Sequence, residues 1–232
     1  MNEKPELKVD WCSHKAAKFA CENWHYSKCM PVGKIVKVGA WEDNKYIGCV
    51  LFSRGSNVNI GKPFNLGQDE CCELTRIALS KHKTFVSEIM VKAFKFLKLK
   101  NPKIRLIISY ADADQNHEGK IYQATNWIYT GLLNVGTRGA FIIHGKKVHN
   151  KSVHSKGVIQ SLVEVRKHLD PNATEFITKG KHKYLMPLDK KMRRQILKLS
   201  KPYPKKTCSE GVTGSTSGFQ SEGIGSSPIQ SL

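Results

Sequence analysis

The stretch CELTRIALSKHKTFVSEIMVKAFKFLKLKNPKIRLIISY, residues 72–110, contains the elements on which the fold depends. An apolar run predicts a strand over Cys71–Leu79. Apolar residues then recur at helical spacing, namely Val86, Ile89, Met90, Ala93, Phe94 and Leu97. We expect Thr84 to cap this helix and Pro102 to end it. The run IRLIISY, residues 104–110, is apolar on both faces, which is typical of a central parallel strand.

Shorter elements precede and follow this stretch. Ser13–Trp24 has the pattern of an amphipathic helix capped by Ser13. Lys34–Trp41 and Tyr46–Phe52 are predicted strands, joined by a hairpin turn at residues 42–45. A short helix around Lys120–Thr125 and a strand over Trp127–Leu132 follow the central strand. This order of elements predicts an α/β (α+β) fold, in which a long helix packs across a twisted mixed sheet.

Positive charge is concentrated in one part of the chain. The 38 Lys and Arg face 19 Asp and Glu, which gives a net charge of +19. Residues 1–133 have 20 basic against 13 acidic side chains, whereas residues 134–206 have 18 against 4. An uneven distribution of this kind indicates a polyanion-binding region, with nucleic acid as the expected partner. A solvated charged face is the alternative, and it accounts for some of these lysines but not for all the clusters.

The expected DNA-contacting residues lie in basic clusters of the region 134–206. They are Lys146, Lys147, Lys151, Lys181, Lys190, Arg193 and Arg194. Such side chains bind backbone phosphates, whose charge is the same whatever the base sequence. We expect the partner to be double-stranded or locally opened DNA.

Cysteines and apolar runs indicate the compartment. The seven cysteines include no C-x-x-C pair, so neither a zinc knuckle nor a redox pair is indicated. No run approaches the roughly 18 apolar residues that a membrane span needs, and MNEKPELKVD lacks the apolar run of a secretory signal. We therefore expect a cytoplasmic protein with reduced thiols and no membrane partner.

The turn between the strand and the long helix has the features of an anion site. A helix N-terminus offers free amides and the positive end of a dipole, and Lys81, Lys83, Thr84 and Ser87 stand beside those amides. The order of elements resembles the GNAT acyltransferases, whose pyrophosphate-binding turn lies in this place. The glycine pair of that turn is absent here. The resemblance implies an acyl-CoA or a related acyl donor, and an ordinary basic turn is the alternative.

A second group of polar residues follows the central strand. In SYADADQNHEGKIYQATNW, residues 109–127, the side chains of Asp112, Asp114, His117 and Tyr122 come just after its carboxyl end. Open α/β sheets place their sites at such ends. Carboxylates and imidazoles exchange protons or bind divalent metals. A solvated loop of turn-forming residues is the alternative.

These motifs together resemble the Mom family of phage DNA-modification proteins. The resemblance rests on ELTRIALS, on Ser87 in the long helix, on SYAD, and on Q-x-H-x-G-x-x-Y-x-A-x-x-W, with Trp24-His25-Tyr26 in agreement. It implies a GNAT-like fold and an enzyme that replaces an N6 hydrogen of adenine in DNA by a methylcarbamoyl group. That mark shields phage DNA from host restriction nucleases, and the compartment would then be the host cytoplasm.

The resemblance also implies roles for particular residues. Arg76, Ser87, Asp112 and Tyr122 would form the active-site set. His25 and Tyr26, together with Asp112, form a candidate metal site, with iron as the candidate metal. Simpler roles exist for several of them: Arg76 pairing with Glu73, Tyr122 in the core, and His25 at a helix end.

The expected organisation therefore has three parts. They are a GNAT-like catalytic core over residues 1–133, a basic DNA-binding extension of the same domain over 134–206, and a disordered Ser/Gly-rich tail over 207–232. The rival functions are acyl or aminoacyl transfer to another hypermodified base or to RNA, and DNA binding by an inactive GNAT fold.

Overall fold

The computed structural model describes residues 4–55, 57 and 59–204, except for the side chain at position 151. The expected tail, residues 207–232, lies outside this range. The described strands are β1 Leu7–Trp11, β2 Ile35–Glu42, β3 Lys45–Ser53, β4 Cys71–Leu79, β5 Leu106–Asp112, β6 Ile128–Leu133, β7 Arg138–Ile143, β8 Lys146–His149, β9 Thr174–Ile177 and β10 Lys181–Pro187. The described helices are α1 His14–Trp24, α2 Val86–Lys100, α3 Lys120–Gln123, α4 Asn150–His154, α5 Leu162–His168 and α6 Lys190–Leu197.

Seven strands form the main sheet in the order β1-β2-β3-β4-β5-β10-β6. Every neighbouring pair is antiparallel except β4 and β5, which run parallel. The mixed sheet crossed by a long helix is therefore confirmed. Among the described residues, no helix combines the length and apolar character that crossing a membrane demands.

Helices cover the two faces of this sheet. The apolar stripe of α2 is buried against one face, which we call the α2 face, where it packs on residues such as Phe52, Leu74 and Ile107. On the opposite face, the α1 face, α1 packs against Cys49, Leu51 and Ala78, and the buried side of α6 packs against β5 and β10. Burial of these side chains from water is the main force that holds the layers together.

The predicted capping residue is present in α1 but not in α2. The Ser13 side chain accepts a hydrogen bond from the Ala16 amide at 3.1 Å, as expected of a cap. The capping position of α2 is occupied by Phe85, which provides no side-chain hydrogen bond. The prediction that Thr84 caps this helix is therefore wrong, because the chain enters the helix one residue later.

The basic region is divided between two structures. Strand β10 pairs with both β5 and β6, so residues 181–187 lie inside the main sheet. Residues 134–180 form an inserted subdomain between β6 and β10, with a small sheet in the order β8-β7-β9. This subdomain has its own apolar core, which includes Phe141, Val153 and Val165. The expected basic extension, residues 134–206, therefore includes both the inserted subdomain and strand β10, which lies in the main sheet between β5 and the edge strand β6.

Asp114 joins the inserted subdomain to the main sheet. Its side chain is only 8% exposed, and it accepts hydrogen bonds from the Lys179 amide at 2.7 Å and the Thr178 hydroxyl at 2.9 Å. The Lys147 ammonium lies 3.1 Å from the same carboxylate. Burial would raise the pKa of Asp114, but these hydrogen bonds and Lys147 hold it below its ordinary value. Asp114 therefore has a structural role.

We expect Asp114→Ala to lower the free energy of unfolding by about 2–3 kcal/mol, because it leaves an amide and an ammonium without their acceptor. The loss should shrink in acid, since a carboxylate with a lowered folded-state pKa stabilises above its unfolded pKa and stops doing so as the pH falls through the folded value. Urea denaturation at several pH values measures both effects. Glu175→Gln, which removes a more exposed partner of Arg138, is the control and should cost under about 1 kcal/mol. Equal losses for the two variants would contradict the anchoring role.

Candidate functional site

The candidate site begins where the two parallel strands separate. Strands β4 and β5 pair only between Cys71–Leu74 and Leu106–Ser109, although both continue beyond these residues. At the point of separation β4 has a bulge, because the register with β3 passes from Leu74 to Arg76 and leaves Thr75 as an extra residue. The Thr75 hydroxyl donates to the Leu51 carbonyl at 3.0 Å and fixes the bulge. A bulge bends its strand, which here opens a wedge in the sheet.

A cavity of about 640 Å³ occupies this wedge, and we call it the wedge pocket. Its lining includes Arg76, Ile77 and Leu79 from β4 and Tyr110 and Asp112 from β5. The remaining walls come from the segment after α1, the start of α2, and the turn leading into α3. Because β4 and β5 are not paired here, main-chain donors and acceptors on their inner edges face the pocket.

The two faces of the sheet contribute different side chains to the wedge pocket. Tyr122 and Ile77 pack with the cluster that contains α2, so they lie on the α2 face. Tyr110 packs on the opposite side, and Asp112 shares its face because side chains along a strand alternate. The pocket therefore has a phenol on one side of the sheet and a carboxylate on the other.

Tyr122 is held in the wedge by a short polar chain. The Ser109 hydroxyl is buried, and it lies 2.8 Å from the Tyr122 hydroxyl and 2.9 Å from the Leu74 carbonyl. Ser109 has a single hydroxyl proton, and when it goes to the phenol oxygen rather than to the Leu74 carbonyl, the phenolic proton is free to point into the pocket. Burial raises the pKa of Tyr122 despite the hydrogen bond from Ser109, so the phenol stays protonated. Tyr122 is thus suited to donate a proton or a hydrogen bond.

Gly119 gives the chain the turn that places Tyr122. This residue precedes α3 with φ of 74°, a left-handed conformation that glycine adopts without strain. A Cβ atom here would lie 2.4 Å from the Tyr184 ring and 2.9 Å from the Tyr122 ring. A side chain at position 119 would therefore collide with both rings and displace Tyr122 from the pocket.

The opposite wall is formed by Arg76 and the segment that follows α1. Arg76 donates to the Cys29 carbonyl at 3.2 Å, which fixes the guanidinium beside His25 and Tyr26. Burial, with the charge of Arg76 and a smaller effect of His117, lowers the pKa of His25 to about 4. Its Nδ1 atom accepts from the Ser27 amide at 3.1 Å, so the neutral ring carries its proton on Nε2. His25 is therefore a neutral donor rather than a cation.

Tyr26 and Asp112 lie near the mouth of the pocket. The Tyr26 side chain is 53% exposed, and its ring meets the His117 ring edge to face at 5.0 Å. Its pKa is raised by partial burial and by the charge of Asp112, which keeps the hydroxyl protonated. One Asp112 oxygen accepts from the Asp114 amide at 3.1 Å, and this bond orients the carboxylate at the end of β5.

The turn before α2 is already bound to an anion of the chain itself. The Glu42 carboxylate accepts from the Lys83 amide at 3.0 Å and from the Thr84 amide at 2.5 Å. Burial raises and the hydrogen bonds of this turn lower the pKa of Glu42, with a net decrease. The Lys83 and Thr84 amides are therefore occupied, and cofactor binding by Lys81, Lys83, Thr84 and Ser87 stays a prediction. Among the described residues, the amides of Phe85, Val86 and Ser87 at the start of α2 have no acceptor within the chain.

The candidate metal residues His25, Tyr26 and Asp112 line the same pocket. In the part of the chain that the structure describes, no three His, Cys, Asp or Glu side chains are grouped so that they could hold a metal ion. We assign no chemical step to a metal.

The predicted DNA-contacting residues are spread over distant parts of the structure. Lys181 is exposed and is paired in register with Asp112, which lines the pocket. Lys146 is exposed at the start of β8, whereas Lys147 binds Asp114 and lies over the Phe176 ring. The exposed Lys190, Arg193 and Arg194 belong to α6, which begins near the other end of β5. The side chain at position 151 is outside the described residues.

Comparison with known proteins identifies the family. The profile of the Mom protein family matches residues 6–205. The chain belongs to the Mom protein family. No relative matches among the curated proteins.

Similar folds occur among solved structures. A spermidine N-acetyltransferase from Vibrio cholerae has 11% identity and a TM-score of 0.47, covering 81% of the Mom family chain and 97% of its own. An N-acyl amino acid synthase from uncultured soil microbes has 8% identity and a TM-score of 0.45, covering 84% and 97%.

Most of the predicted site residues of this Mom family chain meet in one place. Arg76, Asp112, Tyr122, His25 and Tyr26 all line the wedge pocket, whereas Ser87 lies in the first turn of α2 beside it. Sequence reasoning missed Ser109, Glu42 and Cys29, which support Tyr122, the turn before α2 and Arg76. A serine inside an apolar strand was a signal for the first of these, because a buried hydroxyl needs a partner.

We expect the stability of this Mom family protein to decline as the pH falls from about 6.5 toward 4. In that range the unfolded chain binds a proton at His25 and the folded chain does not, so folding becomes less favourable as the pH falls. His25→Asn should flatten this part of the profile of urea midpoint against pH. His14→Asn, an exposed control at the start of α1, should not. An unchanged slope in the His25 variant would contradict a buried neutral imidazole.

Proposed function

We propose that the protein transfers an acyl-type group to the exocyclic N6 of adenine in DNA, leaving a methylcarbamoyl mark that protects the DNA from restriction nucleases. The observation that carries this proposal is the wedge pocket, which opens a path between the α2 face, with Tyr122, and the α1 face, with Asp112. Membership of the Mom protein family supports the reaction class.

The donor is proposed to be an acyl-CoA or a related acyl donor that enters from the α2 face. The unpaired inner edge of β4 offers main-chain hydrogen bonds to an extended, amide-containing arm. The free amides of Phe85, Val86 and Ser87 at the start of α2 offer donors for a phosphate group. Ser87 adds a hydroxyl in the same turn. The acyl carbon would then lie in the wedge beside Tyr122.

The acceptor base is proposed to enter from the α1 face. A base inside a duplex hides its N6 atom, so the nucleotide must be flipped out or be single-stranded. The exposed ring of Tyr26 provides a surface on which a flipped base can stack. Arg76 and the neutral His25 then provide hydrogen-bond donors toward the developing negative charge on the acyl oxygen.

Proton transfers then balance the reaction. The N6 nitrogen forms a bond to the acyl carbon, and the bond between that carbon and the leaving group breaks. Asp112 accepts the proton released by the amine. Tyr122 provides a proton to the leaving group from the opposite side of the wedge and recovers it from solvent. The separation of base and acid on the two faces keeps the two transfers apart.

The experiment is nucleoside mass spectrometry of DNA from bacteria that express the protein. We expect a fraction of deoxyadenosine to carry one additional methylcarbamoyl group. Asp112→Asn and Tyr122→Phe should each lower the mark by at least about 100-fold, the usual contribution of general acid–base catalysis. DNA binding, measured by fluorescence anisotropy, should stay within about two-fold.

Matched controls exist for both variants. Asp43→Asn changes an exposed carboxylate in the turn between β2 and β3, and Tyr203→Phe removes a hydroxyl bonded to the Trp127 carbonyl. Both should leave the mark in place. A modified cytidine, thymidine or RNA nucleoside would contradict the adenine assignment and support the rival function, which is group transfer to another base or to RNA. Absence of any modified nucleoside, with DNA binding retained, would favour the inactive binding module.

A further inference from the structure

A second cavity adjoins the wedge pocket. This side cleft, of about 260 Å³, lies between the inserted subdomain and the main sheet. Its walls include Asp112, Asn134, Thr137, Arg138, Lys147 and Lys181. Asp112 lines both cavities, so the two meet at the carboxylate proposed as the base. A group bound in the side cleft would therefore be close to a base bound in the wedge pocket.

The side cleft is lined by the cationic side chains of Arg138, Lys147 and Lys181, and not all of them are paired with a carboxylate. The carboxylate of Asp114, which also lines it, is buried and already has Lys147, Thr178 and the Lys179 amide as partners. Lys181 is exposed and forms no ion pair among the described residues. It stands directly opposite Asp112 on the neighbouring antiparallel strand, so both side chains project to the same face.

Arg138 adds a fixed positive charge to the wall of the side cleft. Its guanidinium binds Glu175 at 2.9 Å and the Gln160 carbonyl at 2.6 Å, which holds the group in place. A cation that is already positioned attracts an anion to the cleft without further ordering of its side chain.

We propose that the side cleft binds a phosphodiester next to the target nucleotide, with Lys181 as its main contact. This inference rests on the proposed function, because it assumes that the base enters the wedge pocket at Asp112. The phosphate of a flipped nucleotide lies one sugar away from its base, which places it beyond Asp112 toward Lys181. Holding that phosphate fixes the register of the strand, as backbone contacts do in other nucleic-acid complexes.

The start of helix α6 occupies a different region. Asp189, just before α6, pairs with Arg105 at 2.8 Å, at the start of β5, whereas Lys181 is at its end. Six residues of strand separate these ends, or about 20 Å. Lys190, at the start of α6, is therefore too far away to contact the phosphates next to the target base, although it remains a proposed contact for a longer duplex.

The test compares Lys181→Gln with wild type on two single-stranded DNA oligonucleotides that contain one deoxyadenosine. In one, the linkages on both sides of the deoxyadenosine are phosphodiesters, and in the other they are uncharged methylphosphonates. We expect Lys181→Gln to lower kcat/KM for the first about five- to ten-fold, the usual effect of losing a charged hydrogen bond that is partly exposed. For the methylphosphonate oligonucleotide, the kcat/KM values of the two proteins should differ by less than about two-fold. For the phosphodiester oligonucleotide, Lys181→Gln should lower the slope of log binding constant against log salt concentration by about one.

Lys103→Gln is the matched control, since it removes an exposed lysine charge just before β5, at the end of that strand far from Lys181. It should leave kcat/KM for both short oligonucleotides unchanged. Equal losses for Lys181→Gln on charged and neutral linkages would overturn the proposal, as would equal losses for the two variants. A raised KM for the acyl donor, with the oligonucleotide response unchanged, would assign the cleft to a donor phosphate instead and would also overturn it.

Anisotropy binding to the same oligonucleotides separates this inference from the proposed function. If no base is modified by the wild type but its affinity still depends on the charged linkages and on Lys181, the side cleft stands and the reaction fails. If the base is modified and affinity is insensitive to both, the reaction stands and the side cleft fails. Thermal denaturation of each variant verifies that the exposed substitutions leave the fold intact.

Discussion

The separation of β4 from β5 at Thr75 is the constraint on which the rest of the site depends. Two parallel strands that stayed paired to their ends would leave a closed sheet and no passage between its faces. The extra residue at Thr75, fixed by its bond to Leu51, bends β4 at the last paired position. Ser109 then connects both strands to Tyr122 at the same place. A single irregularity thus sets the position of the pocket and of its most buried hydroxyl.

The environments of the site residues divide the chemistry between the two faces. The hydroxyls of Tyr122 and Tyr26 stay protonated because burial disfavours their charged forms. His25 stays neutral for the same reason, assisted by Arg76. The ionisable side chains that line the pocket include Arg76 and Asp112 on the α1 face, and Glu118 and Lys120 around the start of α3. The neutral hydrogen-bond donors lie among these groups and suit a reaction in which charge develops and is removed within a single turnover.

Local patterns predicted most of the elements, because periodicity and caps are properties of neighbouring residues. β4 and α2 agree closely with their predicted bounds, and the turn after β2 has Asp43 and Asn44 at positive φ as hairpin chemistry requires. The short β1 was not predicted, since five residues with two exposed charges carry little periodicity. The place of β10 between β5 and β6 was also not predictable, because it depends on pairing between distant residues. Asp112 and Asp114 look alike in sequence, and only the fold shows that one faces the pocket and the other anchors the inserted subdomain.

The position of β10 also governs how the chain must fold. Strand β6 has no partner in the main sheet other than β10, and β5 has a free edge until β10 arrives. A nascent chain released only as far as residue 180 would therefore present unpaired strand edges, which are templates for aggregation. Closing the sheet over so long a separation is slow, since non-local contacts form late. Lys181 reaches Asp112 in that same closing step, so the side cleft is completed only after the last strand of the main sheet has been synthesised.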